Sequence, residues 1–268
     1  MHRSPVAVVV IAFALFAAQT LEATTPRQIS ASTDISAATL LAKARTALTG
    51  GTPVADVTLN ATATWIAGST DQTGSAQLLA KGPGKALFRL STNSFARAEV
   101  RADTDIPAGQ WTDASGAVHS MALHNCWAPA AWFSPAALLQ ALSGPGYSVA
   151  NVAQESRGGV AVDHLEASLT AAGQRGRAAA VIRNLSRVEL FLDSESHLPV
   201  AMAFNTHPDD DLTRDIPVEV RFSDYRSVSG GMVPFRIQRF LSGTLQLDVT
   251  VSSAAINSGI ADSAFALQ

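Results

Sequence analysis

The 268-residue chain is 47% hydrophobic and only 15% charged, against a charged share of about 25% in ordinary globular domains, which excludes charge-driven disorder. Nineteen Lys and Arg against 22 Asp and Glu leave a net charge of −3, too little to build a broad field for nucleic acid or an acidic membrane surface. The one cysteine, Cys126, excludes an intrachain disulfide framework and a cysteine-built zinc site, so packing must hold the fold.

His2 and Arg3 precede an apolar run over residues 6–18, long enough for a secretory h-region and too short to span a bilayer, which takes about 20 residues. Residues 1–23 are therefore expected to be a signal peptide cut after Ala23, so that the mature chain is exported. Residues 24–33, rich in Thr, Ser, Gln and Pro, read as a flexible lead-in, and residues 34–268 as a single domain. Ile35, Ala38, Leu41, Ala42, Ala44 and Leu48 keep a helical spacing, with Asp34 or Ser36 as N-cap and Gly50-Gly51 as stop.

Beyond Gly51 the period falls to two. Val57, Leu59, Ala61, Ala63, Trp65 and Ala67 alternate with polar residues, predicting a long half-buried strand. Residues 77–81 and 85–91 flank Gly82-Pro83-Gly84 as a hairpin, and residues 95–102 place Ala96, Ala98 and Val100 on one face, Arg97, Glu99 and Arg101 on the other. Residues 111–122 form a further hairpin around Asp113-Ala114-Ser115-Gly116. After an aromatic stretch with Trp127, Trp132 and Phe133, Ser134-Pro135 starts a short helix that Gly144-Pro145-Gly146 ends. The remainder reads as strand: Val188, Leu190 and Leu192 before the turn 193–196, then residues 198–204, then Val218, Val220 and Phe222. Gly230-Gly231 turns the chain into Phe235, Ile237 and Leu241, and Leu245, Leu247, Val249 and Val251 alternate strictly. About ten strands and two helices with no βαβ rhythm predict a mainly β (α+β) fold built on a large curved antiparallel sheet.

Residues 187–265 resemble the LolA-like family of periplasmic lipoprotein carriers and their lipid-binding relatives. The matching pieces are Val188-Glu189-Leu190-Phe191-Leu192-Asp193 with Leu198-Pro199-Val200, Phe222-Ser223-Asp224-Tyr225-Arg226, Gly230-Gly231-Met232-Val233-Pro234-Phe235-Arg236-Ile237, and Ile256-Asn257 with Asp262-Ser263-Ala264-Phe265. The resemblance implies an unclosed half-barrel wrapped over two or more helices, with an apolar cavity that takes acyl chains of lipid or lipoprotein. It implies a non-enzymatic, periplasmic, monomeric carrier without cofactors. The carriers proper control a lid through an arginine, and no position of this sequence is matched to it. A cell-envelope sensor or interaction module that meets a membrane-protein partner is the alternative use of the same scaffold.

Trp65, Trp127, Trp132, Phe133, Leu138, Leu190 and Phe222 are the candidate cavity residues, because a lid over an apolar space needs large apolar groups; the same aromatics would equally plug one end of the sheet as core. Ala61, Ala63, Ala96 and Ala98 are small inward residues that either leave room for a ligand or pack on a helix. His207-Pro208-Asp209-Asp210-Asp211 lacks the glycine and distal glutamate of a calcium loop and reads as a solvated acidic loop. His119, His124, His164 and His197 have no paired ligand spacing, and no G-x-S-x-G elbow, P-loop or dinucleotide fingerprint occurs. The expectation is a binder with no catalytic residue and no metal.

Overall fold

A computed structural model describes residues 36–103 and 106–268. The expected signal peptide, the lead-in and Asp34 as a cap lie outside the described residues. Helix α1 (Ala37–Thr49) opens at Ser36, whose hydroxyl oxygen accepts from the Thr39 amide at 3.2 Å. It closes at Gly50, φ 58°, where a Cβ would also come within 2.9 Å of the Gly230 carbonyl oxygen. Leu40, Leu41, Ala44 and Leu48 are its buried stripe.

A first meander follows: β1 (Asp56–Ala67), β2 (Thr70–Lys81), β3 (Lys85–Thr92), β4 (Ala96–Ala102), β5 (Ala108–Thr112) and β6 (Val118–Ser120). A 3-10 turn (Leu123–Trp127) and α2 (Pro135–Leu142) lead to β7 (Tyr147–Arg157), β8 (Val160–Leu169) and α3 (Gly176–Leu185). The chain ends in β9 (Val188–Asp193), β10 (Pro199–Thr206), β11 (Ile216–Val228), β12 (Gly231–Leu241), β13 (Thr244–Ile256) and a 3-10 turn (Asp262–Phe265).

Among the described residues there are 13 strands in one sheet, ordered β6-β5-β4-β3-β2-β1-β13-β12-β11-β10-β9-β8-β7. Two antiparallel meanders are thus zipped together along β1 and β13, in register from Val57 opposite Ile256 to Trp65 opposite Leu247, with a bulge at Asn60/Ala61. The sheet is not closed; β6 and β7 are its edges. It is strongly curled. β4 and β12 lie five strand steps apart, about 24 Å in a flat sheet, yet Glu99 on β4 and Arg239 on β12 approach to 3.9 Å.

The inner face carries Leu59, Ala63, Leu78, Phe88 and Leu90 from the first meander and Leu190, Met202, Val220, Phe222, Ile237 and Val249 from the second, packed with α1 and α2 into one core. Two small clusters cover the outer face: Leu79, Leu87 and Val100 under Phe265, and Val162, Phe191 and Ala201. The expected mainly β, unclosed sheet over helices is therefore present, with three strands and one helix more than the alternation showed. One expectation is reversed. Glu99 pairs with Phe88 and Arg97 with Leu90, both inner-face residues, so Arg97, Glu99 and Arg101 point inward while Ala96, Ala98 and Val100 lie on the outer face. Ala61 and Ala63 do face inward, 7% and 0% exposed.

Candidate ligand-binding site

Between β6 and α2 the chain crosses beneath the sheet as a strap, residues 121–134, held from both meanders. From β4, buried Arg101 donates through Nη2 to the carbonyls of Cys126 and Ala128, the latter at 3.2 Å. Gly109 on β5 makes room for it, since a Cβ there would meet Arg101 Cδ at 2.8 Å. From the second meander, Asn125 Nδ2 donates to the His207 carbonyl at 2.8 Å while its Oδ1 accepts from the Thr206 hydroxyl (3.0 Å) and the His207 amide (2.9 Å). His124 Nε2 donates to the Pro208 carbonyl at 3.0 Å, and the His207 ring, fully inside, meets Asp215 Oδ1 at 2.9 Å. At its far end Ser134 caps α2, its hydroxyl oxygen accepting from the Ala137 amide with Pro135 as the first helical residue.

The strap divides two cavities. Arg101, Ala128 and Pro129 border both and so form the wall between them. One, of about 350 Å³, has apolar walls from Trp65, Phe88, Trp132 and Phe204 and a charged side from Arg97, Glu99, Arg101 and Arg239. The other, about 310 Å³, is bordered by Trp127, Ala131, Leu138, Tyr147 and Leu169. Both volumes sit at the low end of the roughly 300–1,000 Å³ of small-molecule sites.

In the first cavity the guanidinium of Arg97 lies 4.4 Å over the Trp65 ring and that of Arg239 5.0 Å over the Trp132 ring. Burial and the like charge of Arg239 lower the Arg97 pKa, against the opposing pull of Glu99 and Asp113. Arg101 Nε and Arg239 Nε are buried with no hydrogen-bond partner among the described residues. In the strap, burial pushes the Cys126 thiol up, away from nucleophilic character. Burial likewise raises the Tyr147 hydroxyl in the second cavity. No group of three or more His, Cys, Asp or Glu among the described residues is placed to hold a metal ion.

The candidate residues fall into three places. Trp65, half-buried, and Trp132, 2% exposed, border the first cavity; Trp127 and Leu138 border the second. Phe133 is 1% exposed and packs edge-on against Trp132 with ring centroids 5.4 Å apart. Leu190 and Phe222 lie in the core and border neither cavity. Arg97, Arg101, Arg239 and the strap anchor Asn125 were not singled out by sequence as site residues, and His207, read there as the start of a solvated acidic loop, is instead buried, 4% exposed. The one available signal was the charged side of the β4 alternation.

The molecule is thus an open antiparallel half-barrel over helices, with a strap and paired cavities on its inner side. Its fold is LolA-like. Solved structures sharing it include a domain of the outer membrane lipoprotein-sorting kind from Vibrio parahaemolyticus (TM-score 0.54, 14% identity, 84% of this chain and 94% of that one). A DUF1329 family protein from Desulfovibrio piger (TM-score 0.53, 14% identity, 85% and 95%) and a LolA superfamily protein from Nitrosomonas europaea (TM-score 0.52, 14% identity, 87% and 98%) share it too. At this identity the likeness is one of fold. No protein-family model and no curated protein matches the sequence.

Proposed function

We propose that the protein is a periplasmic, non-enzymatic binder or carrier of an acyl chain from lipid or lipoprotein. The observation that carries this reading is the pair of strapped cavities with aromatic walls inside a LolA-like half-barrel. The apolar run over residues 6–18 behind His2 and Arg3 supports export. Trp65 and Trp132 in one cavity and Trp127 and Leu138 in the other are the contact residues; Phe133, Leu190 and Phe222 back them from the core.

Capacity limits the cargo. A cavity of 350 Å³ holds about a dozen groups the size of a water molecule, each occupying about 30 Å³. About ten methylenes at ~0.8 kcal/mol each give at most roughly 8 kcal/mol, the micromolar range, because the cavity is open on one side and the entropy of association is still to be subtracted. One chain, rather than several, fits each cavity. The test is mass spectrometry of solvent extracts from protein purified out of the periplasm without detergent. A stoichiometric lipid supports the reading; an empty protein that also takes up no acyl probe refutes it.

A second reading rests on β7, an edge strand exposed along most of its length with Val152 52% exposed. Such an edge can accept a strand from an envelope membrane-protein partner, making the molecule an interaction module. Crosslinking from Val152 to one defined partner in an otherwise lipid-free protein would favour it.

A further inference from the structure

We infer that the first cavity recognises the oxyanion head of a single-chain amphiphile, with Arg97 as its principal contact and Arg101 and Arg239 beside it. The inference rests on the acyl-binding reading and adds the chemical class of the head group.

Three guanidiniums border this cavity against two carboxylates, Glu99 and the exposed Asp209, in a chain whose overall charge is −3. The compensation is poor. Glu99 stands 3.9 Å from Arg239, at the limit of an ion pair. Arg101 gives its hydrogen bonds to two backbone carbonyls, which satisfy donors and leave the positive charge unmatched. The Arg97 side chain has no hydrogen bond and no ion pair with any described residue; its guanidinium lies over the face of Trp65, with Glu99 and Asp113 attracting it from farther off. Stacking on a ring occupies the flat side of a guanidinium and leaves its in-plane N–H edge for an acceptor.

An arrangement of this kind costs stability in the empty protein. Burial and Arg239 disfavour charge on Arg97 more than Glu99 and Asp113 favour it, and the Nε groups of Arg101 and Arg239 are buried donors without acceptors among the described residues. A carboxylate or phosphate oxygen placed among them would relieve the repulsion and accept from the free edge, in the bidentate manner that suits guanidinium. The tail's direction follows from the same lining. Trp65 and Trp132 carry the two guanidiniums on their faces, and Phe88 stands edge-on to Trp132 with centroids 5.7 Å apart, so the charged site passes directly into the aromatic wall. An amphiphile is therefore matched at both ends, whereas free phosphate would leave the aromatic wall unused.

The test is titration of the purified chain, by calorimetry and tryptophan fluorescence, with decyl phosphate, decanoate and decanol, each below its aggregation concentration. The expected result is binding of at least one anionic probe tenfold or more tighter than decanol; whether phosphate or carboxylate binds tighter identifies the head group. In Arg97→Gln the ratio of anionic to decanol affinity falls at least tenfold, and in Glu99→Gln it rises. The urea midpoint of each variant, within about 0.3 M of wild type, shows that the fold is kept. Equal affinity for all three probes, or an unchanged ratio in Arg97→Gln, overturns the oxyanion site and leaves acyl binding standing. Failure to bind any probe, decanol included, overturns both.

Discussion

Replacing Trp132 by alanine separates the two roles its position combines. The side chain is 2% exposed, stands edge-on to Phe88 and Phe133 with centroids 5.7 and 5.4 Å away, and carries Arg239 on its face. Removing a core tryptophan costs about 3–5 kcal/mol, from lost transfer energy and the cavity left behind. That is a large part of the roughly 5–15 kcal/mol by which a domain is stable. With a urea slope of about 3 kcal/mol/M, the midpoint measured by circular dichroism should fall by ~1–1.7 M with the slope unchanged. A loss below about 1 kcal/mol would refute the reasoning, because it would mean that the strap and its tryptophan are held loosely. The conservative Trp132→Phe keeps most of the packing. It, and Trp65→Ala at the half-buried rim, are the variants with which to measure acyl binding in a folded protein.

Arg101→Met strips two buried carbonyls of their donor, at about 1–3 kcal/mol each, partly offset by removing a buried charge; amide exchange across residues 123–131 should accelerate tenfold or more while β1 to β3 stay protected, and uniform exchange would refute the strap's dependence on it. Ser134→Ala removes the cap of α2 and should cost about 1 kcal/mol, lowering Tm by roughly 2–4 °C; no change in Tm would show the cap to be idle. Burial pushes the Asp56 carboxyl up, but the Ser258 hydroxyl and the Ser258 and Gly259 amides, at 2.8, 2.7 and 3.0 Å, outweigh it and hold its pKa below the usual value. A lowered folded pKa means stability that is present above the unfolded value near 3.9 and lost as pH falls through the folded one. The Tm gap between wild type and Asp56→Asn should therefore be constant above about pH 5 and shrink toward pH 3; a gap independent of pH would assign the loss to shape rather than charge.

What could be read from sequence was what a local period reports. The strict alternation of residues 57–67 and 245–251 marks β1 and β13 because each is half-buried, and Ser134-Pro135 marks α2 because cap and first-turn proline are adjacent in the chain. Helix α3 escaped because it has no side-chain cap to mark its start and buries only Ala179 and Leu185. The strap was legible as an aromatic stretch but its anchoring was not. Asn125 reaches residues 81 and 82 positions away, and no local pattern encodes such a contact.

The reversed polarity of β4 shows why cavity and outer face must be considered together. Alternation assigns Val100 and Arg101 to opposite faces without saying which face is inside. Left uncovered, Val100 on an outer face would expose apolar surface beside Leu79 and Leu87. The C-terminal turn prevents this by laying Phe265, 2% exposed, over all three, and Asp262 pins the turn to Lys81 at 2.7 Å and Lys85 at 3.1 Å. With its apolar side buried outside, β4 is free to present Arg97, Glu99 and Arg101 inward, where the Phe88, Leu90 and Ala86 positions beside them continue the apolar core. The inner surface consequently runs from apolar over the helices to charged toward the β4–β5 side. The amphiphile proposed above would meet that gradient with its tail on the apolar side and its head on the charged side.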